Sequence, residues 1–253
     1  LGQLSHGACS KNLKGGVDMN IRQKFLRKTG VLVLLGMLLV PGAFAQAEWQ
    51  ASLGAAISKQ GLTMADFEEI CTFYYKNPQP EKLIPCLEAL LSIDALISDQ
   101  GQFGSFAHFF AAIAHKDEGF IEKLRLLKSS YSGLQQQAAD SILKDAENFV
   151  SPDADSPDHL DYLWSEFFAT GDSLPIEKII NVLGTLNPDQ NNPDTPATPM
   201  GQLIHVARWS LGSNAKQHEA VRKILEQKSV SAVEPARSIL KAILIFNDLE
   251  NKS

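Results

Sequence analysis

This 253-residue sequence is placed first by what it lacks. No stretch alternates apolar and polar residues over five or more positions with β-branched enrichment, which argues against a chain built of half-buried strands. The spacing His-Glu-x-x-His and the Gly-x-Ser-x-Gly elbow are absent, and with them two common hydrolase signatures. No glycine-rich phosphate loop exists; Gly15-Gly16 stands apart near the N-terminus. Val31–Val40 is the core of the one long apolar run, well short of the about 20 residues a membrane-spanning helix needs. Cysteine is scarce, at three residues. Basic residues are outnumbered 23 to 29, with no basic stripe, so a phosphate backbone would be repelled and nucleic acid is not an expected partner.

What is present begins at Met19. Arg22, Lys24, Arg27 and Lys28 form a positive segment, Val31–Val40 an apolar core, and Ala43-Phe44-Ala45 a small-x-small site. That order is a secretory signal peptide over residues 19–45, cut before Gln46. Residues 1–18 read as a leader from a mis-assigned start or an appended tag. Removing residues 1–45 takes away six Lys/Arg and one Asp, leaving 17 basic and 28 acidic residues, a net of −11. The expectation is a periplasmic or secreted protein, without a membrane anchor after cleavage, working as a monomer. Its 208 mature residues, 46–253, suffice for one domain.

Within that domain the apolar spacing is helical. Leu160, Leu163, Trp164, Phe167 and Phe168 share one helix face. Gly171 can take the left-handed conformation that ends a helix, Asp172 or Ser173 can cap the next, and Ile176, Ile179, Ile180 and Leu183 form its apolar side. Thr63 with Asp66 predicts a capping box, with Leu62 and Phe67 as a hydrophobic staple. Ser132 with Gln135 predicts another capping box, and Ser156-Pro157-Asp158 a further start. Pro85 either kinks its helix or marks where it begins. Gly212-Ser213-Asn214 is expected to turn the chain. The helix near Pro235–Phe246, apolar on most sides, is expected to be well buried. Residues 187–199, NPDQNNPDTPATP, read as a surface loop.

Four segments repeat the order aromatic helix, polar turn, Ile/Leu helix, with turns near residues 78, 116, 171 and 213. Their spacings, 38, 55 and 42, are near the period of stacked helical-pair repeats. The expected class is therefore all-α, as stacked antiparallel hairpins in a solenoid-like superhelix, with an orthogonal helical bundle as the alternative. In the first hairpin Cys71 and Cys86 are equidistant from the turn. A disulfide between them would suit an exported protein and close a loop worth roughly 3 kcal/mol; two buried thiols are the other reading.

The strings FYYKNPQPE, WSEFFATGD and ARWSLGSNAKQH resemble those of a family of small exported all-helical bacterial proteins with no assigned activity. A coarser likeness is to HEAT and tetratricopeptide repeats, although the pattern W-x2-L-G-x2-Y is missing. Neither resemblance implies a reaction.

Candidate chemistry is sparse. His108 and His115 are seven residues apart, about 10 Å along a helix, too far to share a metal unaided. Asp153, Asp155, Asp158 and Asp161 lack the glycine and terminal glutamate of a calcium loop. His159 and Asp161 diverge by about 200° on a helix. Arg208 lies among Ile204, Val206, Ala207, Trp209 and Leu211 and reads as a buried cation needing Asp172 or Glu166 as partner. A binding groove would combine Trp164, Asp172, Arg208, Trp209, Asn214 and His218. No cofactor, metal or catalytic residue is expected. The leading expectation is a helical-repeat protein that binds a protein or peptide. The alternatives are an exported hydrolase or lyase with a carboxylate/histidine groove, and an apolar-ligand carrier drawing on Phe103–Phe110.

Overall fold

The computed structural model describes residues 52–185 and 198–250. The expected leader, signal peptide and cleavage point, and loop positions 187–197, lie outside the described residues. Among those described the protein is all-α, with twelve helices and no strand. They are α1 (residues 52–59), α2 (Met64–Phe73), α3 (Pro80–Leu91), α4 (Asp94–Ile97), α5 (Gln100–Lys116) and α6 (Glu118–Ser130), followed by α7 (Gly133–Glu147), α8 (Pro157–Thr170), α9 (Ser173–Leu183), α10 (Pro199–Gln217), α11 (Glu219–Ser231) and α12 (Ala236–Glu250). No described helix is long and apolar enough to cross a membrane.

Local chemistry sets most of the boundaries. Thr63 and Asp66 form the full capping box of α2, while Leu62 and Phe67 are both buried. Ser156 Oγ accepts from the His159 amide, and Pro157 opens α8. Gly171 ends α8 at φ 71°, and a β-carbon there would sit 3.0 Å from the Tyr75 ring, so both conformation and packing call for glycine. Thr198 caps α10. Ser132 does not complete its expected box: its side chain makes no capping bond, because Gln135 reaches Asp94 on α4 instead. Pro80, not Pro85, opens α3, and Pro85 stays inside it.

Two readings of the path change. The chain does not turn at Gly212-Ser213-Asn214; α10 runs on to Gln217 and the corner falls at His218. Gly212 serves packing there: its missing side chain leaves room for Ile243 of α12, 3.5 Å from where a β-carbon would be, and its carbonyl accepts from Asn247. The expected Cys71–Cys86 disulfide is also replaced, by two free, buried thiols. The six-residue link 74–79 leaves the two cysteines at unequal heights on their helices. Cys71 lies two residues before the end of α2, whereas Cys86 lies six residues past the start of α3. At 1.5 Å per residue that difference staggers them by about 6 Å along the helix axes. Burial raises both thiol pKa values, Cys86 to about 12.

The centre of the first half is α5. Phe103, Phe106, Phe109, Phe110 and Ile113, with alanines between them, are buried around nearly its whole circumference. A helix apolar all round is an inner rod. Its most extensive packing is against α8 and then α7, not against its chain neighbour α6. From α8 onward each helix packs on the next, and α10 also packs on α12.

Candidate functional site

The six residues expected to form one groove divide into three environments. Trp164, Asn214 and His218 are buried, at 2%, 0% and 1% exposure. Trp164 stacks on Phe168, with centroids 5.8 Å apart, and Phe168 stacks on His218 at 5.0 Å. Phe73 and Tyr75, from the end of α2 and its turn, close the other side of the imidazole, and Tyr75 Oη lies 3.2 Å from His218 Nδ1. Burial first, and then the Lys76 charge, lowers the His218 pKa to about 4, so the ring is neutral. This is an internal joint between α2, α8 and α10, closed to any macromolecule.

Asp172 stands elsewhere, exposed and paired with Lys116 at the end of α5. Arg208 corrects the expectation of a buried cation: it is exposed, and no ion pair holds it among the described residues. Of the apolar residues around it in the sequence, Ile204, Ala207 and Leu211 face inward, leaving Arg208 outside. Trp209 beside it is 43% exposed. Glu166, the other proposed partner, is buried and faces His108 of α5, with Oε2 3.7 Å from Nε2.

Trp209 borders a surface that was expected to be buried. On α12 only one side is covered, by Ala236, Leu240, Ile243 and Asn247. Ala242, Ile245, Phe246 and Leu249 recur at helical spacing along the other side, and the last three are 61%, 58% and 62% exposed. Composition does not separate a helix buried on two sides from one buried on a single side; the exposure of Ile245, Phe246 and Leu249 does. The Asn247–Gly212 bond and the Lys216–Glu250 pair set α10 and α12 in parallel register. Lys216 lies over the Phe246 ring, 5.5 Å from its centroid. Trp209 is two turns before Lys216 on α10 and therefore on the same edge. The strip is thus aromatic at two points, with Lys216 on its edge.

A second feature was missed in the sequence. Helices α5, α7 and α8 enclose a cavity of about 210 Å³ lined by Phe103, Gly104, His108, Ser141, Asp145 and Tyr162, among others. His108 is sandwiched by Phe149 and Tyr162, at 4.9 and 5.3 Å. Its Nε2 and Glu166 Oε2 are both buried with no hydrogen-bond partner. Gly104 was the available signal: a glycine inside an apolar helix marks close approach, and the Tyr162 hydroxyl lies 2.5 Å from where its β-carbon would be. Asp161, one residue from Tyr162, has its carboxyl pKa pushed up to about 7 by burial and by Asp158. Ser141 heads a Ser-x-x-Lys string, but Lys144 is exposed and held by Asp140 at 2.8 Å. Among the described residues no group of three His, Cys, Asp or Glu is placed to hold a metal. A further concavity, about 680 Å³, opens along α2 and its turn from Ala65 to Asn77 and brings no polar groups of different helices together.

Comparison with known protein families, curated proteins and solved structures returns no match.

Proposed function

We propose that this is an exported, non-enzymatic binding protein that holds an acidic amphipathic helix of a partner protein against the α10–α12 strip. One observation carries the reading: Ile245, Phe246 and Leu249 stand in solvent at helical spacing beside the exposed Trp209. Exposed aromatics in a continuous apolar strip are the usual anchors of helix-in-groove recognition. Charge favours an acidic partner. Residues 198–250 carry seven basic and five acidic side chains, net +2, in a mature chain of net −11. Arg208 and Lys241 are exposed on the same two helices and have no ion-pair partner among the described residues. Export rests on the basic, apolar and Ala-x-Ala order of residues 19–45.

The enzymatic alternative draws on His108 and Asp145 in one cavity, with Glu166 behind His108, but among the described residues no hydrogen bond joins Ser141 to His108 or Asp145. The carrier alternative is opposed by the packing of the α5 phenylalanines on Phe67, Tyr74 and Phe120.

The test is a photo-crosslinking residue at position 246 of the full chain in its native host. A discrete adduct is expected, mapping to an acidic helix of another protein and disappearing in Trp209→Ala and Arg208→Glu. No adduct, one indifferent to both substitutions, or one between two copies of this chain would overturn the proposal.

A further inference from the structure

The geometry points to the α5–α7–α8 cavity as a binding site for a small organic cation, an amine or alkylammonium group. This site is separate from the α10–α12 strip and stands or falls without it.

Three observations converge. The walls are aromatic on two sides, with Phe103 on α5 and Tyr162 on α8, and the His108 ring lies parallel to Tyr162 at an interplanar angle of 21°. Ring faces attract cations. The charged groups are all of one sign. Asp145 lines the cavity; Asp158 and Asp161 act on the Tyr162 hydroxyl together with Asp145; no lysine or arginine is among the lining residues. Asp145 has no ion-pair partner among the described residues. Finally, Glu166 is buried immediately behind the wall, its Oε2 3.7 Å from His108 Nε2 and without a hydrogen bond. A buried carboxylate oxygen left unpaired is costly, and a positive charge on the cavity side of His108 would offset that cost.

Size and donor set narrow the ligand. About 210 Å³ admits a group of several heavy atoms but not a peptide or a nucleotide. The absence of a three-ligand cluster among the described residues disfavours a bare metal ion. An ammonium group directed at Asp145, with its alkyl chain against Phe103 and Tyr162, fits both limits.

The experiment uses the mature protein and three probes of matched size: n-butylammonium, n-butyrate and n-butanol, followed by NMR shifts of the Tyr162 and His108 side chains. Saturable shifts are expected with butylammonium alone, and apparent affinity should fall at least tenfold in Asp145→Asn. Glu118→Gln, on exposed α6, should leave it unchanged. Fluorescence and circular dichroism of Asp145→Asn should match the parent, so that lost binding is not lost folding. Equal responses to the three probes, an undiminished response in Asp145→Asn, or no saturation by 50 mM butylammonium would each overturn the inference.

Discussion

The first 134 described residues and the last 53 solve the same packing problem differently. In residues 52–185 the apolar faces are almost entirely covered. The α5 rod is wrapped by α4, α6, α7 and α8, and the surface carries nine basic against twenty acidic residues, net −11. In residues 198–250 α10 is packed on α8, α9, α11 and α12, but α12 is covered on one side only. The outer flank of α12 keeps its aliphatic and aromatic side chains in water, and the charge is +2. A helix with apolar residues on two sides needs two neighbours. Here the neighbours of α5 surround it, whereas α9, α10 and α11 all meet α12 on its Ala236–Leu240–Ile243–Asn247 side and leave Ile245, Phe246 and Leu249 exposed. The first arrangement buys stability alone, whereas the second leaves a surface available to something else.

The largest effect that would sharpen this contrast comes from truncating an aromatic in each region. Phe167→Ala, at 0% exposure, should cost about 3–5 kcal/mol in urea unfolding through lost burial and a cavity. Phe246→Ala should change stability by less than about 1 kcal/mol, since its ring is already largely hydrated. Comparable losses in both would mean that α12 is covered in solution and would end the comparison.

Smaller effects separate the two buried or half-buried titrating groups. His218 has its pKa lowered from 6.5 to about 4. Its contribution is therefore present above pH 6.5 and lost as pH falls towards 4, where the unfolded chain binds the proton more readily. His218→Gln should flatten the fall in stability between pH 6.5 and 4, read as melting temperature against pH. Asp161 acts with the opposite sign. Its pKa is raised from 3.8 to about 7, so its contribution is present below pH 3.8 and lost as pH rises through 7. Asp161→Asn should stabilise the protein at pH 8 by about 1 kcal/mol, allowing for its partial solvent access, with no gain at pH 4. A gain that grew towards acid pH would show that Asp161 is held as a carboxylate by a partner instead.

Much of the fold was legible locally. The Thr63–Asp66 box, the Ser156-Pro157 start, the Gly171 stop and the Asp117 corner after Lys116 all depend on side chains within a few residues of the backbone groups they satisfy. Where a local signal had a competitor far along the chain, the reading failed. Gly212 looked like a turn residue and is a packing residue, because Ile243 lies against it. Gln135 looked like half of a capping box and instead bonds Asp94, 41 residues away. In the candidate sites, Trp209 is legible as a binding residue and lies on the Lys216 edge beside the α12 strip. Tyr162, Asp145 and the His108–Glu166 pair were not assembled, because their meeting depends on how α5, α7 and α8 rotate about their axes.

That the chain is helical, and where most helices start and stop, follows from the amino-acid order alone, because caps, prolines and 3.6-residue periodicity act over one or two turns. Which apolar faces find partners, that Cys71 and Cys86 are staggered free thiols, and that Arg208 faces water emerge only when the helices pack. Those outcomes depend on the rotation and relative height of whole helices, which are fixed by contacts between residues tens of positions apart.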